Sequence, residues 1–168
     1  MRQRSINDYS FFRPYLILTL AVAVQSFHML EHIAQLIQKF VLHLPVAHGI
    51  LGASLDFEPV HFTYNTIYLA LVAIVWLSFT NTPLRNMKLI YGPVTFVLVF
   101  QSWHFAEHTV KLEQHFVNGC ISCPGILGSY FDPILLHFAY NTIVFVPLIV
   151  VFMIFHYKFL VKAENIQK

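Results

Sequence analysis

Charged residues are scarce in this chain. Asp, Glu, Lys and Arg make up 11% of its 168 residues, whereas 57% are hydrophobic. A soluble domain carries about 25% charged residues, which it needs to cover its water-facing surface. The shortage excludes a soluble globular domain, a disordered chain and a nucleic-acid binder with a basic face. We therefore expect a multi-pass membrane protein whose main partner is the lipid bilayer.

Cysteine is almost absent. The only two are Cys120 and Cys123, and no Cys-x-x-Cys-His segment occurs, which excludes covalently attached c-type haem. The pair predicts a small disulfide or a thiol redox pair in one loop. The first apolar run is long and lacks a small-residue cleavage site after it, so we expect it to stay in the mature protein.

Four apolar stretches are long enough to cross a membrane. A hydrocarbon core of about 30 Å needs roughly 20 apolar residues per helix. Strands are disfavoured because the apolar runs do not alternate with polar residues. The sequence therefore predicts an all-α, four-helix transmembrane bundle with spans at about residues 14–38, 60–79, 89–115 and 134–157.

The basic residues predict the orientation. Only Lys39 and Lys111 lie towards the ends of the spans that carry the long loops; the other eight are at the opposite ends. By the positive-inside rule, both termini are cytoplasmic and the long loops face outward from the cell membrane. The predicted segments are a cytoplasmic N-terminal segment 1–13, a two-helix unit 14–80, a cytoplasmic linker 81–88, a second two-helix unit 89–157 and a cytoplasmic tail 158–168.

The two halves resemble each other at an offset of 76 residues. Of the 43 positions from 25 to 67, 20 are identical to their counterparts, without a gap. The identical positions are more often polar residues or glycine than apolar residues. Because each half has an even number of spans, we expect tandem parallel repeats related by a pseudo-two-fold axis along the membrane normal. Shared polar positions indicate a shared site.

Polar residues within the apolar helices form the predicted site. Each half contains a His-x-x-Glu-His segment, whose i, i+4 histidines lie on one helical face, and a third histidine 29 residues after the second. The predicted metal ligands are His28, His32 and His61, their counterparts His104, His108 and His137, and the carboxylates Glu31 and Glu107. The residues expected to support these ligands are Gln25, Tyr64, Asn65, Gln101, Tyr140 and Asn141.

A metal explains why these residues lie at membrane depth. An ionised side chain there costs at least about 2.5–3.5 kcal/mol, so Glu31 and Glu107 need a cationic or metal partner or must be protonated. They are predicted as bridging ligands or catalytic bases. The mixed nitrogen and oxygen donors suit iron, zinc, copper or manganese. Haem b, held by His28 and His104, is an alternative, and so is a hydrogen-bond network that only joins the helices.

The spelling of the motif is similar to two known patterns. His-x-x-Glu-His resembles the inverzincin zinc-peptidase motif, in which the glutamate is the general base. That motif belongs to large soluble domains, unlike this chain. The His-x-x-x-His spacing is similar to that of membrane di-iron hydroxylases and desaturases, but no His-x-x-His-His box is present. These resemblances imply metal chemistry and not membership of either family.

Three functions remain open. The first is a metal-dependent membrane enzyme, an oxidoreductase or a hydrolase, acting on a lipid-soluble or small apolar substrate. The second is a b-type haem, metal or electron carrier within a larger membrane complex, with other membrane subunits as partners. The third is a non-catalytic subunit of such a complex. A transporter is disfavoured because the cytoplasmic halves of the spans lack a polar path.

The metal hypothesis predicts a difference between histidines. His28→Ala and His104→Ala should each lower the bound metal, measured by elemental analysis of purified protein, because each removes an imidazole ligand. His156→Ala should keep the wild-type content, since it lies outside the repeated motif. Equal metal content in all three variants would contradict the hypothesis.

Overall fold

The chain folds into four long helices in the computed structural model, which describes residues 3–52, 57–120 and 123–167, with the side chains of 12–52, 57–120 and 123–158. The helices are α1 (Gln3–Leu36), α2 (Glu58–Thr80), α3 (Lys88–Asn118) and α4 (Pro133–Gln167). A π-helical turn, Ile37–Val41, extends α1, and a 3-10 turn, Pro83–Asn86, connects α2 to α3. These ranges contain no strand, so the predicted all-α class is confirmed.

All four helices are long and apolar enough to cross a membrane. The qualifying segments are Phe12–Val41, Glu58–Thr80, Lys88–Asn118 and Pro133–Lys158. Large apolar side chains such as Leu16, Leu20 and Phe27 are exposed on the outside of the bundle. A surface of this kind suits lipid, which solvates apolar groups that water would not. The prediction of four spans is confirmed.

Local sequence explains several helix ends. Pro59 lies in the first turn of α2, where its missing N–H leaves no hydrogen bond unmade. Asp132 Oδ1 accepts hydrogen bonds from the backbone N–H groups of Ile134 (3.0 Å) and Leu135 (3.2 Å), so it caps α4. Gly119 ends α3 in the left-handed conformation, with φ of 67°.

The helices pack as a ring in chain order. Helix α1 contacts α2 and α4, and α3 contacts the same two, so α1 and α3 lie diagonally opposite each other. One end of the bundle, here called the long-loop end, carries the described loop residues 42–52, 57, 119–120 and 123–132. The opposite, short-turn end carries the turn between α2 and α3.

The bundle interior has two chemically different halves. Towards the short-turn end, the four helices bury an apolar core that includes Leu18, Val72, Val94 and Leu148, each with 0% exposure. Towards the long-loop end, the interior is polar. The buried side chains there are Gln25, His28, Glu31, His32, Gln35, Glu58, Asn65, Gln101, His104, Glu107, His108, Lys111, His137 and Asn141. The apolar half fixes the helices, and the polar half contains the candidate site.

Candidate metal centre

Six imidazoles from all four helices meet in the polar half of the bundle. Neighbouring rings in this histidine cluster have centroids 4.4–5.7 Å apart. Five of the six side chains are buried, and that of His61 is half-buried. The cluster consists of His28 and His32 on α1, His61 on α2, His104 and His108 on α3, and His137 on α4.

Two overlapping groups of ligand atoms lie within the histidine cluster. Nitrogen atoms of His28, His32 and His61 lie within 4.8 Å of one another, and so do those of His61, His108 and His137. His61 therefore belongs to both groups. The sequence pattern assigned His104 to the second group with His108 and His137. In the structure, His104 is next to this group, with its Nε2 3.2 Å from Nε2 of His108.

Hydrogen bonds fix the orientation of three of the rings. Nδ1 of His32 lies 2.8 Å from Gln35 Oε1, Nδ1 of His108 lies 2.7 Å from Glu58 Oε1, and Nδ1 of His137 lies 3.2 Å from the carbonyl oxygen of Pro133. With Gln35 and Pro133 as acceptors and Glu58 ionised, each Nδ1 carries the proton. The Nε2 atom of a neutral ring then has a free lone pair, which is the form that binds metal.

The Nε2 atoms are spaced as ligands of a common ion would be. They are 3.0 Å apart between His28 and His32 and 3.0 Å apart between His108 and His137. Two imidazole nitrogens bound to one ion at about 2.0–2.1 Å lie about 2.9 Å apart at a right angle and about 3.3 Å apart at a tetrahedral angle. Little rearrangement would be needed for either pair to bind a metal ion.

Glu58 is the carboxylate that contacts the histidine cluster, and sequence reasoning missed it. Besides its hydrogen bond with His108, its other oxygen lies 4.0 Å from Lys111 Nζ. At the corresponding place in the first half, His32 uses the amide of Gln35. Comparison of the two halves gave no indication of Glu58, because the corresponding residue in the second half is Ile134. A usable signal was present: Glu58 lies one turn before His61 in an apolar helix.

The two glutamates of the His-x-x-Glu-His segments bind loop backbone. Glu31 accepts hydrogen bonds from the N–H groups of Ile50 (2.9 Å) and Leu51 (3.2 Å). Glu107 does the same with Ile126 (2.8 Å) and Leu127 (3.0 Å), using Oε1. The buried Oε2 atom of Glu107 has no hydrogen-bond partner among the described residues. This arrangement anchors the two Gly-Ile-Leu-Gly segments, residues 49–52 and 125–128, against the helices.

Two glycines allow these segments to approach the glutamates. Gly49 has φ of +77°, and a Cβ atom there would lie 2.0 Å from Glu31 Oε1. Gly125 has φ of +70°, and its Cβ would lie 2.4 Å from Glu107 Oε1. The backbone conformation and the close contact both require glycine. These contacts tie both segments to the site helices.

An amide layer separates the histidine cluster from the apolar half. Gln25 Nε2 donates to Asn141 Oδ1 (2.8 Å), and Gln101 Nε2 donates to Asn65 Oδ1 (3.1 Å). Each asparagine in turn donates to the carbonyl oxygen of the histidine one turn earlier, on its own helix. The layer thus joins the neighbouring helices α1 to α4 and α3 to α2, at the turns that carry His137 and His61.

The two tyrosines pack on the cluster differently. The ring of Tyr64 stacks on His28 with centroids 4.2 Å apart, and its hydroxyl donates to the carbonyl oxygen of Val24 (2.8 Å). Tyr140 packs beside His104 at 5.0 Å, and its hydroxyl accepts a hydrogen bond from Trp103 Nε1 (3.3 Å). Both tyrosines support a histidine ring.

A cavity of about 380 Å³ leads from the long-loop end to the histidine cluster. It reaches three of the imidazoles, those of His32, His61 and His137. Its other lining residues are Gln35, Lys39, Leu44, Pro45, Val46, Ala47, His48, Glu58, Lys111, Pro133 and Ile134. A small molecule could therefore reach the candidate ligands from this end of the bundle.

An ion pair joins the two halves beside this cavity. Lys39 Nζ donates to Asp132 Oδ2. Partial burial would raise the pKa of Asp132, but the hydrogen bonds from Lys39 and from the backbone of Leu135 and Ile134 outweigh it and lower that pKa. Asp132 is thus a helix cap and an ion-pair partner. Its counterpart Asp56 lies outside the described residues.

The remaining cysteines and histidines are outside the cluster. Cys120 and Cys123 form a disulfide, one of the two states expected from the sequence. His115 forms a hydrogen bond with the carbonyl oxygen of Cys120 (2.7 Å), and His156 forms one with the hydroxyl of Tyr15 (2.7 Å) near the short-turn end.

Comparisons with protein-family models, curated proteins and solved structures found no match to this chain.

The contact between Gly49 and Glu31 can be tested with a matched pair of glycines. Gly49→Ala should expose the backbone amides of Ile50 and Leu51 to faster hydrogen exchange, because the new methyl group displaces the carboxylate. Gly52 has a similar φ of +73° but nothing within 4 Å of its Cβ position. Gly52→Ala therefore carries the same backbone strain without the clash. Equal exchange rates in the two variants would contradict an anchoring role for Glu31.

Proposed function

We propose that this chain is a multi-pass membrane protein that binds transition-metal ions in its histidine cluster and acts as a metal-dependent enzyme. The overlap of two ligand groups at His61 favours about two ions per chain, with His61 shared between them as an imidazolate, because a neutral imidazole has a lone pair for one ion alone. Iron, zinc and copper match the imidazole donors best. Such ions supply Lewis-acid or redox chemistry, so the enzyme is an oxidoreductase or a hydrolase.

The contact between His108 and His137 carries this proposal. Both rings donate their Nδ1 protons to acceptors, so both Nε2 lone pairs point towards the same space, 3.0 Å apart. Two lone pairs at that distance repel each other in a buried site unless a cation lies between them. A proton there would bury a positive charge with a single pair of partners, whereas a metal ion can recruit further imidazoles.

Metal ions fit this site better than haem b. A haem bound by two axial histidines needs an open slot for its planar macrocycle between them. Here His61, His108 and His137 pack together with ring centroids 4.8–5.3 Å apart, and they fill the interior between α1 and α3. The imidazoles are thus arranged as ligands of small ions.

The cavity favours an enzyme over a carrier or a structural subunit. A carrier of electrons needs no opening for a substrate, and a hydrogen-bond network that joins helices needs none either. In this chain an opening ends at three imidazoles of the cluster. A role as a metal-carrying subunit of a larger membrane complex is the second candidate, supported by the exposed apolar side chains on the outside of the bundle, which other membrane helices can cover.

In this proposal, the two glutamates of the His-x-x-Glu-His segments mainly hold the long loops in position. Glu31 and Glu107 form hydrogen bonds with loop amides, which supports a role in placing the loops around the site. Their roles as catalytic bases or bridging ligands stay predictions. Glu58, which contacts His108, is the carboxylate best placed to act on an imidazole ligand.

We also propose a tandem duplication and an orientation in the cell membrane. Contacts of one half recur 76 residues later: Gln38 bonds to the backbone of Gly49 as Gln114 bonds to that of Gly125. These paired contacts support a pseudo-two-fold axis along the bundle. The excess of Lys and Arg beyond the short-turn end supports a cytoplasmic position for both termini.

The proposed centre predicts a specific pattern of metal loss. In elemental analysis by inductively coupled plasma mass spectrometry, wild-type protein purified without chelators should contain about two first-row ions per chain. His28→Ala and His137→Ala should each lose about one ion, whereas His61→Ala should lose both, because His61 belongs to both groups. The absorption spectrum of the same sample should show no Soret band.

Other outcomes would contradict this proposal. Metal-free wild-type protein would favour the structural subunit, and a Soret band would favour haem. Equal losses in the His28, His61 and His137 variants would argue against a shared ligand. Circular dichroism and gel filtration in detergent would verify that each variant remains folded.

Glu58 should tune the affinity of the second ligand group. A carboxylate hydrogen-bonded to a ligand imidazole raises its basicity, and its loss costs about 10–100-fold in metal affinity. Glu58→Gln should therefore weaken Co²⁺ binding in a spectroscopic titration. Glu113→Gln, an exposed substitution on α3, is the matched control and should leave the affinity unchanged. Equal affinities would show that Glu58 does not act on the metal ligands.

A further inference from the structure

The cavity that reaches the histidine cluster has walls of different character. On one side, Leu44, Pro45 and Val46 of the first long loop present apolar side chains, and all three are exposed. The rest of the lining is mostly polar, with the imidazoles of His32 and His137 among its buried groups. A ligand that fills this cavity must therefore combine an apolar part with a polar part.

The apolar wall continues into the outer surface of the bundle. Val41 and Leu42, at the end of the π-helical turn, are 67% and 58% exposed, and Val46 is 57% exposed. They follow the exposed apolar residues of α1, so an alkyl chain in contact with the spans meets apolar side chains up to the cavity. Lipid is the natural source of a ligand that enters this way.

The protein's own charges at the cavity are balanced in pairs. Lys39 forms an ion pair with Asp132, and Lys111 lies 4.0 Å from Glu58. Apart from a shared His61 imidazolate, which carries one negative charge, the candidate ligands are neutral imidazoles. Two divalent ions would bring about four positive charges. Even if Glu31 and Glu107 are also ionised, the three negative charges fall short of that, and an uncompensated charge is costly in a low-dielectric interior.

We infer that this cavity binds a single-chain amphiphile with an acidic head, such as a fatty acid. Its carboxylate lies towards the histidine cluster, and its alkyl chain follows the apolar wall of Leu44 and Val46. This inference rests on the proposed metal centre and narrows its substrate class. A lipid-derived ligand agrees with the position of the site among the membrane-spanning helices. Its carboxylate supplies negative charge that the residues of the chain do not provide.

Binding of three labelled probes to the full-length chain in lipid nanodiscs tests this inference. The probes are decanoate, decanol, which has the chain without the charge, and acetate, which has the charge without the chain. Empty nanodiscs correct for partition into lipid. Metal-loaded protein should bind decanoate at least about tenfold more tightly than either other probe. Protein stripped of metal should lose the preference for decanoate over decanol.

Two valine substitutions test the position of the chain. Val46→Asp should weaken decanoate binding at least about tenfold, because it places a carboxylate on the apolar wall. Val117→Asp is the matched control, since Val117 is also an exposed valine but does not line the cavity. It should leave binding within about twofold of the wild type. Metal content is measured on every sample.

The outcomes separate this inference from the proposed metal centre. Metal-replete protein that binds decanol as tightly as decanoate would overturn the acidic head, and equal binding of acetate would overturn the amphiphile. Equal effects of Val46→Asp and Val117→Asp would overturn the assigned wall. Wild-type protein that holds no metal would instead overturn the proposed centre and, with it, the charge argument on which the acidic head depends.

Discussion

The burial of many polar side chains in one half of an apolar bundle is the constraint on which this structure depends. A polar group without a partner at membrane depth costs several kcal/mol. The fold meets this cost by giving most of the buried imidazoles, amides and carboxylates a partner on another helix or loop. The positions of the helices are therefore set by these polar contacts. The apolar half of the bundle packs to fit the helix positions that result.

The polar interior is layered along the bundle. The amide layer of Gln25, Gln101, Asn65 and Asn141 lies next to the apolar core. The histidine cluster follows, and the glutamates and loop glycines are nearest the long-loop end. Each layer orients the next: the asparagines hold the helix turns of His61 and His137, and the first long loop, which Glu31 holds, borders the cavity. The candidate site is thus confined to one end of the bundle.

The two halves of the chain share these layers but differ in the residues that form hydrogen bonds with the histidine cluster. His32 donates to the amide of Gln35, whereas His108 donates to the carboxylate of Glu58, which also faces Lys111. A carboxylate polarises an imidazole more strongly than an amide does. The two groups of ligands consequently differ in basicity, although the histidines themselves are repeated. Divergence at Glu58 and Lys111 gives the halves separate chemical properties.

The sequence by itself determined the helical class, the four spans and the histidines that meet, because apolar length and helical spacing are local properties of the chain. It could not assign partners. The pattern predicted Glu31 and Glu107 as metal ligands or bases, whereas folding brought loop amides to them and brought Glu58 to His108. Which carboxylate faces an imidazole depends on helix rotation and loop path. Those were decided only by tertiary packing, in which each buried polar group takes the nearest partner available.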